Sequence, residues 1–221
     1  FDRKKFKDGS ILAKLCKWVD TKCIHKADAV ISDTKAHGDY FSSEFNVKRD
    51  KITTLYLQAD TTFYNRRLYQ KPEELKDKFV VLYFGSILPL QGVEIILKAV
   101  ELLKDREDIF FYIVGPIKDS SIIPETKNAK FINWLSQEDL AEHIGLSDLC
   151  LSGHFNKDIN KAKRTIPGKA YIYEAMGKPF ILGENPANRE LFTDDDRHFF
   201  IEMGNSEVLA QKIIELREKL L

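Results

Sequence analysis

The chain has 221 residues, of which 43% are hydrophobic and 31% charged, with Lys+Arg and Asp+Glu equal at 34 each. That composition excludes disorder, and the neutral balance offers no global charge for nucleic acid or an acidic partner. No apolar run reaches the ~18 residues that a membrane span needs, no signal peptide is visible, and Cys16, Cys23 and Cys150 make neither a paired framework nor a CxxC; free thiols in a cytoplasmic protein are the expectation.

Residues 1–26 carry eight basic side chains against three acids, interleaved with Phe6, Ile11, Leu12, Leu15, Trp18 and Val19. A helix of this kind suits the surface of an anionic membrane. It suits equally a helix packed on a further domain with its lysines in water. Cys16 and Cys23 lie on this basic helix without partners for a metal, and are read as plain helix residues. The sequence opens on Phe1 and not Met, which reads as the latter part of a longer chain. DAVISDT (28–34) is a strand entering a turn, HGDYFSSEF (37–45) a short helix and KITTLYL (51–57) another strand. So little structure cannot form a core alone, so 1–57 is expected to be the remnant of an N-terminal domain. Residues 58–78, with Arg66-Arg67 and Lys71-Pro72, read as a linker.

From residue 79 strands and helices alternate. FVVLYF (79–84) is a buried-strand run closed by Gly85. GVEIILKAVELLK (92–104) sets Val93, Ile96, Leu97, Val100 and Leu103 on one helical face. FFYIV (110–114) is closed by Gly115-Pro116, and KFI (130–132) is a short third strand. SQEDLAEHIG (136–145) has a Ser136/Asp139 start and ends at Gly145. LCL (149–151) is a fourth strand, and 167–176 a helix with proline near its first position. PFIL (179–182), HFFI (198–201) and a last helix over 206–221 complete the series. The pattern predicts an α/β, Rossmann-like parallel sheet with helices on both faces over 79–221. Ligands of such sheets lie beyond the carboxyl ends of the strands, here the loops 85–92, 115–128, 133–136, 152–168 and 183–187.

There is no GxGxxG, no GxxxxGK[ST] and no HExxH in the chain. Asp194-Asp195-Asp196 reads as a solvated turn and not a cation site. The stretch RTIPGKAYIYEAMGKPF (164–180) carries more. A helix opening at Pro167 presents backbone N–H groups and the positive end of its dipole, a seat for phosphate. Gly168 lets an anion approach, Arg164 and Lys169 add two positive charges, and Glu174 sits about one and a half turns on. Its carboxylate accepts from hydroxyls, as a ribose offers. A surface helix with Lys169 and Glu174 in water fits the spacing as well. The glycine-marked ends Gly85-Ser86, Gln91-Gly92 and Gly115-Pro116 along the same edge favour a nucleotide-sized anion.

At these residues the sequence resembles the retaining, GT-B-fold glycosyltransferases of the large bacterial family that uses nucleotide sugars. KADAVISDTKAHGDYFSSEFNVKRDKITTLYLQADTTFYN is similar to that family's crossing into its second domain, with Asp28, Lys51, Asp60 and Phe63 in matching places. VLYFGSILPLQGVEIILKAVELL resembles its strand, glycine loop and helix, FYIVGP the strand beneath the base, and RTIPGKAYIYEAMGKPFILGENPANREL its pattern IP-x-K-x-x-E-x-x-A-x-G-x-P. The resemblance implies the C-terminal, donor-binding half of an enzyme that moves a sugar from a nucleotide diphosphate sugar to an acceptor in polysaccharide or glycolipid assembly. It implies retention of configuration, no metal and no cofactor beyond the donor, and an acceptor held by the N-terminal domain, so that this half alone is inactive. Partners implied are the nucleotide sugar, a sugar or lipid-linked acceptor and the N-terminal domain, with peripheral membrane contact through 1–26.

Residue by residue, the resemblance sets Gly85 and Ser86 against the diphosphate, with Pro167, Gly168 and Lys169 facing the phosphates. Gly115, Pro116, Asn133 and Trp134 border the base, and the ribose glutamate falls on Glu174. Two departures stand out. The opening loop has Ser86 and Gln91 where many relatives carry Arg and Lys, and the acid expected eight residues before Glu174 is Ile166. Those departures keep a non-catalytic protein on a degenerate scaffold in play. A sugar-nucleotide epimerase, which shares this sheet type, is a weaker alternative.

Overall fold

The computed structural model describes residues 9–117 and 120–220 of the chain; the first eight residues of the basic stretch 1–26 lie outside it. Ser10 opens the first helix, α1 (Ile11–Lys26), by accepting from Ala13 N at 3.2 Å. Strand β1 (Val30–Ser32) leads to α2 (Lys35–Phe45), capped by Thr34 Oγ1, which accepts from His37 N at 3.0 Å. Asn46 in the left-handed region (φ 51°) stops α2, and β2 (Ile52–Thr54) follows. β1 and β2 pair in parallel, Val30 opposite Ile52, and bury Val30, Val47 and Ile52 against Phe41, Phe45 and Ile24. The other face of this pair stays open: Ile31 and Leu55 are each 64% exposed. On α1 Ile11, Leu12, Leu15, Trp18 and Val19 are exposed too, and only Ala13 of the helix is buried. Parallel strands are ordinarily covered on both faces, so this unit has apolar surface to spare.

The second unit is larger. Strands β3 (Phe79–Phe84), β4 (Ile109–Val114), β5 (Ala129–Ile132), β6 (Leu149–Leu151), β7 (Phe180–Gly183) and β8 (His198–Ile201) form one parallel sheet in the order β5-β4-β3-β6-β7-β8. Helices α3 (Val93–Leu102), α4 (Gln137–Leu146), α5 (Asn160–Arg164), α6 (Gly168–Ala175) and α7 (Ser206–Leu220) connect or close it. β3 is central, and its side chains alternate between two cores. Phe79, Val81 and Tyr83 pack under α3 and α7, while Val80 and Leu82 pack under α4 and α6. Burying each such side chain is worth roughly 1.5–3 kcal/mol, which explains why the run reads apolar at every position instead of every second one. The short helix α5 falls inside the stretch 152–168, which the sequence reads as a loop.

Residues 58–78 are not a free tether. Tyr64 and Leu75 are buried in the α4/α6 core, and Lys71 Nζ donates to Asp148 Oδ2 at 2.5 Å and to Lys78 O at 2.8 Å. Farther on, Glu190 fastens the first unit to the second. Its carboxylate accepts from the backbone of Lys35 and Ala36, at 2.7 Å each, and from the Tyr56 hydroxyl at 2.9 Å. It thereby satisfies the first amides of α2 and opposes the helix dipole with a negative charge. Among the described residues no helix is long and apolar enough to cross a membrane.

Candidate functional site

The chain reverses direction across the sheet between β3 and β6: β4 and β5 extend one way from β3, β6 to β8 the other. In open parallel sheets a crevice forms at this reversal, beyond the carboxyl ends of the strands. β3 ends there in Gly85 and β6 in Ser152-Gly153. α6 begins nearby, with Pro167 (φ −63°) at its cap position, no side chain closing its end, and Gly168 exposed. A Cβ on Gly168 would meet nothing within 4 Å.

Lys169 runs into this crevice. It is only 7% exposed. A Cβ on Gly85 would stand 3.2 Å from Lys169 Cε, and one on Gly153 would stand 3.2 Å from its Nζ. Both glycines also hold positive φ, 146° and 76°, so a side chain at either would strain the backbone as well as crowd the lysine. Lys169 Nζ donates to Gln91 Oε1 at 2.6 Å and lies 5.2 Å from the centre of the Tyr83 ring. Among the described residues no carboxylate is within ion-pair distance of it. Burial therefore acts unopposed and lowers its pKa to about 7. Beside it the Tyr83 hydroxyl is buried with no hydrogen-bond partner among the described residues. His154, in the left-handed region at φ 58°, donates from Nδ1 to Thr165 O at 3.1 Å. Burial, helped by the charge of Lys169, lowers its pKa to about 3, so the ring is uncharged at neutral pH.

Of the residues singled out by sequence, Gly85, Gln91, Lys169 and the open end at Pro167-Gly168 come together in this crevice. Gly115 packs on Gly85: a Cβ there would meet Gly85 O at 2.1 Å, so its glycine is already required by the backbone. Ser86 and Pro116 are exposed along the same edge, and Asn133 and Trp134 project into solvent after the outer strand β5, Trp134 being 76% exposed. Gly153, Tyr83 and His154 join the group without having been foreseen. Gly153 alone had a signal, a glycine two residues past an apolar strand.

Two of the residues singled out by sequence have their partners away from Lys169. Arg164 does not join Lys169. It ends α5, and its guanidinium stacks on the Tyr40 ring of α2 at 3.7 Å while its carbonyl accepts from Thr34 Oγ1 at 2.5 Å. It serves the contact between the two units. Glu174 does not share Lys169's face of α6 either. Five residues at ~100° each carry it about 140° round the helix. The spacing K-x-x-E points instead to position 172, on Lys169's side, and that residue is Ile172. Glu174 accepts from His198 Nε2 at 2.7 Å and from Arg197 through two 3.3 Å contacts. Burial disfavours its charge, but the His198 hydrogen bond and the Arg197 and His198 charges outweigh this and lower its pKa. With Leu57, Tyr171, Leu191, Phe192 and His198 it lines a separate cavity of about 430 Å³. Asp195, the middle of the three aspartates, accepts from the backbone of Arg197 and His198 at 2.8 and 2.7 Å and shapes the turn into β8.

Solved structures share this architecture. The UDP-glucose complex of Anabaena Alr3699/HepE superposes with a TM-score of 0.74 at 16% identity, over 94% of this chain and 59% of that one. Sucrose-phosphate synthase from Thermosynechococcus elongatus gives 0.70 at 15% identity, over 96% and 56%. A glycosyltransferase from Rickettsia africae gives 0.67 at 18% identity, over 92% and 57%. The chain thus spans little more than half the length of these GT-B proteins. Among curated proteins none matches the sequence. The family model for glycosyl transferases group 1 matches residues 78–219, the whole six-stranded unit, and the chain belongs to that family.

Proposed function

We propose that this chain is the donor-binding half of a glycosyltransferase that moves a sugar from a nucleotide diphosphate sugar to an acceptor in polysaccharide or glycolipid assembly. One observation carries the reading: Lys169 brings a buried cationic group to the point where the sheet order reverses, at the open end of α6. A diphosphate leaving group gathers negative charge as the sugar departs, and a fixed cation with a helix end stabilises that charge without a metal. The base lies towards Gly115, Pro116, Asn133 and Trp134, and configuration at the sugar is retained. The acceptor is held mainly by an N-terminal domain of which residues 1–57 are a part, so this half binds donor but transfers little sugar alone. The three free thiols suit a cytoplasmic location. Ile172 leaves the ribose without a carboxylate on Lys169's face, so the site leans on its phosphate contacts. Titration calorimetry with UDP-, GDP- and ADP-sugars tests the reading. It expects measurable affinity for one nucleotide class, lost in Lys169→Ala; no heat with any of them would end it.

A second reading, a non-catalytic protein on the same scaffold, is favoured by the neutral Ser86 and Gln91 and by Ile172, where the family pattern has a glutamate. Donor hydrolysis by the chain joined to an N-terminal half, abolished by Lys169→Ala, rules it out.

A further inference from the structure

Lys169 and Gln91 are joined by a contact that a bound diphosphate has to replace. Gln91 closes a 3-10 turn, Pro89–Gln91, whose backbone is pinned to the loop after β6. Gln91 O accepts from Phe155 N at 3.2 Å, and a Cβ on Gly92 would meet Asn156 N at 2.8 Å. The main chain is held, while the side chain, which crosses the crevice to Lys169 Nζ at 2.6 Å, turns on its own torsions. Its amide oxygen is an sp² acceptor with no charge, placed where a phosphoryl oxygen would meet the same ammonium. The unpartnered Tyr83 hydroxyl, fully buried beside the same lysine, is a second polar group waiting on the site.

We propose that Gln91 is a displaceable stopper: its side-chain oxygen stands in for a phosphate oxygen on Lys169, and a nucleoside diphosphate enters by exchanging with it. This rests on the donor reading above and adds how the seat is kept while empty. The exchange replaces a neutral acceptor with an anionic one at a lysine that burial has brought close to neutrality. Binding therefore favours the ammonium form, and the proton comes from solvent. Facing the lysine are Tyr83 from β3, which burial keeps protonated, and His154 from the loop after β6, which burial keeps uncharged. Glu94 of α3 acts on Tyr83, while Lys161 of α5 and Asp33 of the first unit act on His154.

The test is calorimetric titration of UDP, GDP and ADP into the full chain from pH 6 to 9, in buffers of different ionisation enthalpy. For the best-bound nucleotide, affinity should hold up to about pH 7 and then fall, towards ~10-fold per pH unit, with proton uptake appearing over the same range. Gln91→Glu puts a carboxylate on Lys169 and should weaken binding by more than ~30-fold. Gln91→Ala removes the competitor and should bind at least as tightly as the wild type. A Gln91→Ala variant weakened more than ~3-fold, or a Gln91→Glu variant that binds as tightly as the wild type, overturns the stopper. If Lys169→Ala still abolishes binding in that case, the donor seat stands. No binding of any nucleotide at any pH removes both. Circular dichroism of each variant checks that the fold is kept.

Discussion

The crevice around Lys169 and the hollow beneath Glu174 lie on opposite faces of one eight-residue helix, and they treat charge in opposite ways. Lys169 is buried, meets a neutral amide and has its charge disfavoured. Glu174 is 38% exposed, meets Arg197 and His198 and has its charge favoured. A group satisfied by its own protein is part of the architecture. A group held in a low-dielectric setting without a counter-charge costs stability and is kept where a ligand supplies what is missing. On that ground the proposed anion seat is assigned to the Lys169 face, while Glu174 has its partners on β8 and in the turn before it.

The largest expected effect comes from removing the buried ammonium. Lys169→Met should weaken nucleoside diphosphate binding by about 100-fold or more, read by calorimetry. It should also change stability in a way that identifies the cause. The folded pKa of Lys169, about 7, lies below its ordinary value of 10.5, so between them the unfolded chain binds more protons than the folded one. Wild-type stability should therefore rise with pH across that window, by about 1.4 kcal/mol per unit at most. Urea unfolding at pH 7 and pH 9 should show the rise in the wild type and its loss in Lys169→Met. If the rise persists in the variant, Lys169 is not the group responsible.

Glu174→Gln is the smaller, opposite case. The carboxylate's pKa is lowered in the fold, so its contribution is present above the unfolded value, 4.5, and lost as pH falls through the folded one. The variant should lose under ~1 kcal/mol at pH 7, because more than a third of the side chain is exposed, and the difference should vanish as pH falls through the folded pKa. Its diphosphate affinity should be unchanged; a tenfold loss would return Glu174 to the binding site and undo the contrast. The smallest effect on stability belongs to α1. Leu15→Glu with Trp18→Glu should cost under ~0.5 kcal/mol in thermal melts, since both side chains are exposed. In flotation assays the intact chain should rise with anionic vesicles and not with neutral ones, and the double variant should stay behind, if lipid covers this face. Equal recovery with both vesicles leaves the face to further protein.

Much of the fold was readable because it depends on local pattern. FVVLYF is apolar at every position since β3 is covered on both faces, and Ser136 begins α4 by accepting from Asp139 N at 3.0 Å. The opening of α6 at Pro167-Gly168 follows from proline's fixed φ and missing N–H. The site was legible only in part. Lys169 and Gln91 stand 78 positions apart, and nothing local tells that they touch. Arg164 looks like a second phosphate ligand in sequence, yet the ring of Tyr40, brought over it by the packing of α2, turns it away.

The sequence by itself determined the alternation of strands and helices, the position of the helix end and the kinds of side chain near it, because backbone dihedrals, caps and hydrophobic period act over a few residues. Tertiary structure alone decided the strand order that makes the crevice, the enclosure of Lys169 by Gly85 and Gly153, and the pairing of Glu174 with Arg197 and His198. Those depend on which distant segments exclude water from one another, and the protonation of a lysine answers to that exclusion and not to its neighbours along the chain.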